Sequence, residues 1–271
     1  MNSKPIAFMD SGVGGLSVLK VALSELPQEN MLYLGDEAHM PYGEKNPKQI
    51  VDYSLEIGNF FVKNQAKMMI VACNTATSVA LSTLQKNLSI PVIGVIKPGS
   101  EAALKVTKNQ KIGVIATRAT IASHSYRQEI LKINPKADVI ELACPTFIPL
   151  VESGDYNSEE AKQIIKAGLK QLKNTGIDTL ILGCTHFPII ANLIQNEIGE
   201  QVKLIDPGYE TIDLAKQVLK TNDLYAKNNQ NIVNYFTTSG INHFDEIGSH
   251  WLQQNVKAKL ITTSRLENYH D

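Results

Sequence analysis

The first hundred residues of this chain have a counterpart roughly 110 positions downstream, and a duplication on that scale restricts the fold more than any other feature of the sequence. Ile6-Ala7-Phe8-Met9 matches Ile112-Gly113-Val114-Ile115, and Met31-Leu32-Tyr33-Leu34 matches Val139-Ile140-Glu141-Leu142; all four read as short buried strands. Asn46 and Asn157 each precede an amphipathic stretch and are predicted N-caps. The clearest pair is Met69-Ile70-Val71-Ala72-Cys73-Asn74-Thr75 against Leu180-Ile181-Leu182-Gly183-Cys184-Thr185-His186, each an apolar strand ending in cysteine. Helical spacing follows both cysteines, through Ala76, Val79, Ala80, Thr83 and Leu84 in one case and Phe187, Ile190, Ala191 and Ile194 in the other, where Pro188 suits a first turn. Each unit then returns through a strand to a Pro-Gly, at Val95-Ile96-Lys97-Pro98-Gly99 and Leu204-Ile205-Asp206-Pro207-Gly208, and these are the predicted crossovers between domains.

Strands alternating with helical segments predict an α/β protein of mainly parallel sheets flanked by helices, and the duplication predicts two pseudo-symmetric domains with the active site in the cleft between them. The first domain is assigned residues 1–97 plus 208–271 and the second residues 98–207. Strand patterns at Ile232-Val233-Asn234-Tyr235-Phe236 and Lys259-Leu260-Ile261-Thr262 return to the first domain, which makes it discontinuous.

Charge and cysteine usage narrow the function classes. Lys and Arg number 26 against 27 Asp and Glu, with no long run of one sign, so neither nucleic acid nor an acidic membrane surface is an expected partner. No apolar run approaches a membrane span, and Met1-Asn2-Ser3-Lys4-Pro5 leads into an apolar stretch too short for a secretory signal, so a cytoplasmic protein is expected. Three widely spaced cysteines fit neither a disulfide framework nor a zinc site; reduced thiols and no metal are the expectation.

In open α/β sheets ligands bind beyond the carboxyl ends of the strands, where Cys73 and Cys184 both fall. A helix N-terminus there is expected to lower a thiol below its ordinary value of about 8.5. An isolated cysteine is commonly a small buried hydrophobe, but two in equivalent repeats argue for chemistry. Cys144 has no cysteine equivalent in the first half, where Asp36 stands, and reads as structural. Asp10-Ser11-Gly12-Val13-Gly14-Gly15 follows the first strand, and such a turn brings backbone amides to an anionic group with Asp10 facing the crevice; a tight turn with a capping Asp fits equally. A dinucleotide fingerprint from Gly12 requires glycine where Ser17 stands. His186, two residues after Cys184, can exchange a proton with that thiol or hold it as thiolate. His39, His124, His243, His250 and His270 have no such neighbourhood and read as incidental. Glu152 and Asp36 are candidate crevice carboxylates, with solvated surface positions the plainer alternative.

Through Asp10-Ser11-Gly12-Val13-Gly14-Gly15, Pro41-Tyr42-Gly43, Ala72-Cys73-Asn74-Thr75-Ala76-Thr77 and Gly183-Cys184-Thr185-His186-Phe187-Pro188, the sequence closely resembles the glutamate racemase family over nearly its whole length. The resemblance implies a two-domain, pyridoxal-phosphate-independent isomerase in which one cysteine removes the α-proton of glutamate and the other returns one from the opposite face. Carried over, Cys73 and Cys184 are that pair, Asp10 assists the first, His186 the second, and Glu152 lies nearby. Substrate is expected to be held by Asp10, Ser11, Pro41, Tyr42, Gly43, Asn74, Thr75, Thr185 and His186, with Thr117 and Thr120 as further candidates. No cofactor, a homodimer, and supply of D-glutamate for peptidoglycan are likewise implied. Lys97 stands where glutamate is expected in many members, a departure at the first crossover. Three rivals remain at this stage: a racemase of aspartate or another amino acid, a cysteine hydrolase using Cys184 and His186, and a binding protein that closes on an amino acid without chemistry.

Overall fold

The computed structural model describes residues 3–226 and 231–269. Among these residues ten strands form two sheets: β1 (Ile6–Asp10), β2 (Met31–Gly35), β3 (Met68–Val71), β4 (Val92–Gly94), β5 (Lys111–Ala116), β6 (Asp138–Ala143), β7 (Thr179–Gly183), β8 (Lys203–Ile205), β9 (Val233–Thr237) and β10 (Ala258–Leu260). The first sheet runs β10-β9-β2-β1-β3-β4 and the second β6-β5-β7-β8, with every pairing parallel. Reading β5 as β1, β6 as β2, β7 as β3 and β8 as β4, the four-strand order is the same in both, as the repeat requires. β9 and β10, the strands after residue 208, extend the first sheet beyond β2.

Helices cover both faces, so the central strands are apolar without alternation. Ile6, Phe8, Met31, Tyr33, Met68 and Ile70 point to one side of the first sheet and join a core that continues into the second half through Leu180, Leu182 and Phe187. Ala7, Met9, Leu32, Leu34, Met69 and Val71 point to the other side, against Ile57 and Phe61. Each large side chain buried this way contributes about 1.5–3 kcal/mol. β6 differs from expectation, because it closes the edge of the second sheet and only Val139 along it is buried.

Of the two predicted asparagine caps, one holds and the other shifts. Asn46 caps the helix Pro47–Lys63 in a reciprocal capping box with Gln49. The second predicted cap is displaced by one residue: Ser158, not Asn157, accepts the Ala161 amide and opens the helix Glu159–Leu169. Neither Pro-Gly follows a strand end as a loop. β4 ends at Gly94, and Pro98-Gly99 lies in the first turn of the helix Ile96–Val106; Pro207-Gly208 opens the helix Pro207–Thr221 under an Asp206 cap. A proline in a first turn forgoes no helical hydrogen bond, which is why both are tolerated there. These two helices pack against each other. Gly99 permits it, since a Cβ there would stand 3.0 Å from the Pro207 ring. Lys97 is exposed in that first turn, 4.0 Å from Glu101. No helix among the described residues is long and apolar enough to cross a membrane.

Candidate active site

The registers Met9 to Val71 and Ala116 to Gly183 bring the carboxyl ends of β1 and β3, and of β5 and β7, level. Just beyond these pairs, Asp10 and Cys73 in one half and Thr117 and Cys184 in the other emerge at corresponding edges of the two sheets.

Cys73 is the N-cap of the helix Asn74–Asn87, and its Sγ accepts the Ala76 amide at 3.4 Å. The thiol also faces the Ser11 hydroxyl at 3.8 Å. Burial, and after it the negative charge of Asp10, push this thiol up to about 12, against the lowering influence of the Ala76 amide and Ser11. The helix N-terminus thus does not win: Cys73 is held as a thiol, contrary to the sequence-based expectation. Asp10 is itself buried, accepts the Gly12 amide at 3.1 Å, and lies 3.5 Å from the Thr185 hydroxyl across the cleft. Burial raises its carboxyl despite His186 and the amides of the turn.

The surroundings of Cys184 depart from this pattern. The chain after β7 turns through i to i+3 bonds, Phe187 N–H to the Cys184 carbonyl and Ile189 N–H to that of His186, into the 3-10 turn Phe187–Ile190; the α-helix begins only at Ala191. Cys184 is therefore not an α-helix cap, and its polar partner is a side chain. His186 Nδ1 lies 3.8 Å from its Sγ, and His186 Nε2 lies 3.0 Å from Glu152 Oε1. Burial opposes charge on this imidazole, but the hydrogen bonds and negative charge of Cys184 and Glu152 prevail and raise it to about 10. Gly14 makes the arrangement possible, because a Cβ there would stand 2.5 Å from His186 Cε1 and from Thr185 Oγ1. Trp251 closes the ring from its edge side at 6.1 Å.

Both cysteines line one narrow cleft, together with Ser11, Pro41, Tyr42, Gly43, Asn74, Thr75, Thr117, Thr185 and His186. A larger, more open hollow, lined by Lys20, Tyr156, Tyr209 and Trp251 among others, contains neither cysteine; the convergent thiols, hydroxyls and helix start make the smaller one the candidate site. Asp10 and Glu152 do not line the cleft and lie behind Cys73 and His186. Thr120 also lies behind it, in a triangle in which the Thr75, Thr117 and Thr120 hydroxyls are 3.0 to 3.2 Å apart, spanning the two halves. The loop carrying Pro41, Tyr42 and Gly43 rests on Thr117, with the position of a Gly43 Cβ only 3.2 Å from Thr117 Cβ. The Tyr42 hydroxyl donates to Asp36 at 2.6 Å, so it is committed away from the cleft.

Met40 and Ile148 also line the cleft and carry no motif that would have singled them out. Glu37 was missed for the same reason: one of its carboxylate oxygens is buried without a hydrogen-bond partner, near Gly12. His39, read as incidental, is 2.9 Å from Asp36 and stacks on Tyr53, supporting the same loop. Asp36 is a buried loop anchor bonded to His39, Tyr42 and Thr238 rather than a solvated carboxylate. Cys144 is buried beside the Gly168 carbonyl, away from the cleft. His270 lies outside the described residues. Among the described residues, no group of three His, Cys, Asp or Glu side chains is arranged to hold a metal ion.

The profile of the Asp/Glu/hydantoin racemase family matches residues 16–215. A glutamate racemase of Lactiplantibacillus plantarum is 48% identical over 257 residues, covering 93% of this chain and 93% of that one. The crystal structure of a glutamate racemase isoform from Bacillus anthracis superimposes with a TM-score of 0.94 at 37% identity, covering 97% of this chain and 99% of that one. That of glutamate racemase from Francisella tularensis, solved in complex with D-glutamate, gives 0.90 at 32% identity, covering 97% and 98%.

Proposed function

The chain belongs to the glutamate racemase family, and on that premise we propose that it interconverts L- and D-glutamate by two-base proton transfer between Cys73 and Cys184. The observation that carries the reading is that two thiols, from corresponding strand ends of two sheets with the same strand order, line a single cleft. Inverting a tetrahedral carbon calls for an acid and a base on opposite faces, and a duplicated fold supplies both.

In the L-to-D direction Cys184, as thiolate beside the His186 imidazolium, takes the α-proton, and the Cys73 thiol delivers one to the other face. The start of the helix Asn74–Asn87 and the hydroxyls of Thr75, Thr117 and Thr185 line the cleft where the substrate carboxylates would lie, and they favour the charge that develops as the α-carbon is deprotonated. Glu152 orients and charges the imidazole. In the opposite direction Cys73 must begin as thiolate, and Asp10, buried beside it, is the group to take its proton. A thiol held at about 12 is ionised in only on the order of 10⁻⁵ of molecules at pH 7, so this transfer accompanies substrate binding. The D-glutamate formed would feed peptidoglycan synthesis. Three buried, unpaired thiols suit a reducing compartment such as the cytoplasm. A homodimer is the assembly expected by resemblance, and sizing in solution tests it.

The deciding experiment offers purified protein L-glutamate and L-aspartate in deuterated water, without added cofactor, and follows optical rotation and α-hydrogen exchange. Racemisation of glutamate with exchange is the expected result. Preference for aspartate would place the enzyme with another substrate of the superfamily, release of ammonia without inversion would indicate a hydrolase, and binding without exchange a receptor.

A further inference from the structure

Asn74 follows Cys73 and lines the cleft, yet its carboxamide is gripped from the other half of the molecule. Tyr126, fully buried in the helix Ser125–Ile133, donates its hydroxyl to Asn74 Oδ1 at 2.7 Å. The phenol has little freedom to do otherwise. A Cβ on Gly183, the residue before Cys184, would stand 3.1 Å from Tyr126 Cε2, and one on Gly99, at the crossover, 3.5 Å from Cε1. Burial, with the charges of Asp206 and Cys184, keeps the phenol protonated and so a donor throughout the working pH range.

A carboxamide with its oxygen engaged presents its NH₂ at the other end, and the amide nitrogen of Asn74 has no hydrogen bond among the described residues. Resting on the racemase reading above, we propose that Tyr126 is a positioning residue: its hydroxyl turns the Asn74 carboxamide so that the NH₂ donates to a carboxylate of the substrate. In the flipped orientation the amide oxygen would face that carboxylate, anion against dipole. Donor and acceptor come from different halves of the chain, so the contact spans the cleft.

The test is a double-mutant cycle of Tyr126→Phe and Asn74→Ala, with KM and kcat measured for both enantiomers and unfolding midpoints recorded alongside. Tyr126→Phe should raise KM about two- to tenfold in both directions, the usual effect of one lost hydrogen bond, and alter kcat much less because neither thiol is touched. In the Asn74→Ala background it should raise KM no further. An equal rise in both backgrounds, or no rise in either, would overturn the positioning role and indicate that Tyr126 serves packing alone. If Tyr126→Phe does not fold, Asn74→Asp serves in its place: Tyr126 can still donate to the carboxylate while the NH₂ is gone, so KM should rise at least as much, and an unchanged KM overturns the proposal. A wild-type protein that does not racemise glutamate would overturn the reading of the site and this inference with it, whereas an active wild type with additive variants removes only the role of Tyr126.

Discussion

Replacing Glu37 by glutamine should stabilise the protein by about 3 kcal/mol at pH 8 and by almost nothing near pH 4.5. Glu37 follows Asp36 at the end of β2, mostly buried, with one carboxylate oxygen unpartnered and close to Gly12. Burial, then the charges of Glu152 and Asp10, raise it from 4.5 to about 7, and His186 and the Val13 amide only partly offset them. At about 1.4 kcal/mol for each pH unit, that rise is worth about 3 kcal/mol. A carboxyl whose folded-state value is raised contributes stability that is fully present below its unfolded value of 4.5 and is lost as pH rises through about 7. Glutamine keeps the shape and never ionises, so the variant escapes that loss. Urea unfolding followed by the fluorescence of Trp251, the lone tryptophan, at pH values from 4.5 to 8 gives the difference curve directly. A variant whose advantage is the same at both ends of the range, or which is less stable at pH 8, would show that Glu37 is not a strained buried acid.

Three further outcomes test the chemistry. Cys73→Ala and Cys184→Ala should each reduce racemisation about a thousandfold, while in deuterated water the first variant exchanges the α-hydrogen of L-glutamate much faster than that of D-glutamate and the second does the reverse; equal residual exchange of both enantiomers would mean that one thiolate reaches both faces. His186→Asn should lower kcat from L-glutamate by roughly tenfold to a hundredfold, and in the wild type kcat/KM for L-glutamate should hold to about pH 9 and fall as the imidazolium loses its proton through about 10; a profile identical in variant and wild type refutes the pairing. Gly14→Ala puts a methyl 2.5 Å from the His186 ring and should cost about a hundredfold in kcat by displacing it, with the secondary structure unchanged by circular dichroism; normal kinetics would show that the turn yields instead.

What the sequence disclosed depended on whether the signal was local or periodic. The duplication prefigured the strand order shared by the two sheets because strand ends and helix starts leave marks within a few residues, as at Asn46 and Cys73. It misled where two local readings were nearly equivalent. Asn157 and Ser158 are both good caps, and only the phase of Ala161, Ile165 and Leu169 against the core chose the second. Val95-Ile96 resembles a strand end, yet Ile96 is buried as the first residue of a helix that runs between the two halves. The roles of Glu37, Met40, Ile148 and Tyr126 were beyond local signals, since each lies near the cleft through tertiary packing alone. Glu152 was legible only as one of two candidate crevice carboxylates, because it stands 34 residues from His186, the partner that gives it meaning.

The duplication makes the two thiols equivalent in position but not in environment, and the difference bears on how a racemase can be fair to both enantiomers. Cys73 sits in a buried, negatively biased corner that keeps its proton on, whereas the partner of Cys184 is an imidazole held positive at neutral pH. On the proposed chemistry Cys73 starts protonated, and Cys184, beside the imidazolium, is the base that meets L-glutamate. Enantiomers have equal free energy in water, so kcat/KM must be the same in both directions however lopsided the resting state. The balance is restored by basicity. The form that receives D-glutamate, with Cys73 ionised, is scarce by the same free energy that makes its thiolate the stronger base, and what the small population withholds the faster proton abstraction returns. Unequal surroundings can thus split kcat from KM between the two directions while leaving their ratio untouched, and on the proposed chemistry Asp10 and His186 would be the side chains that set that split.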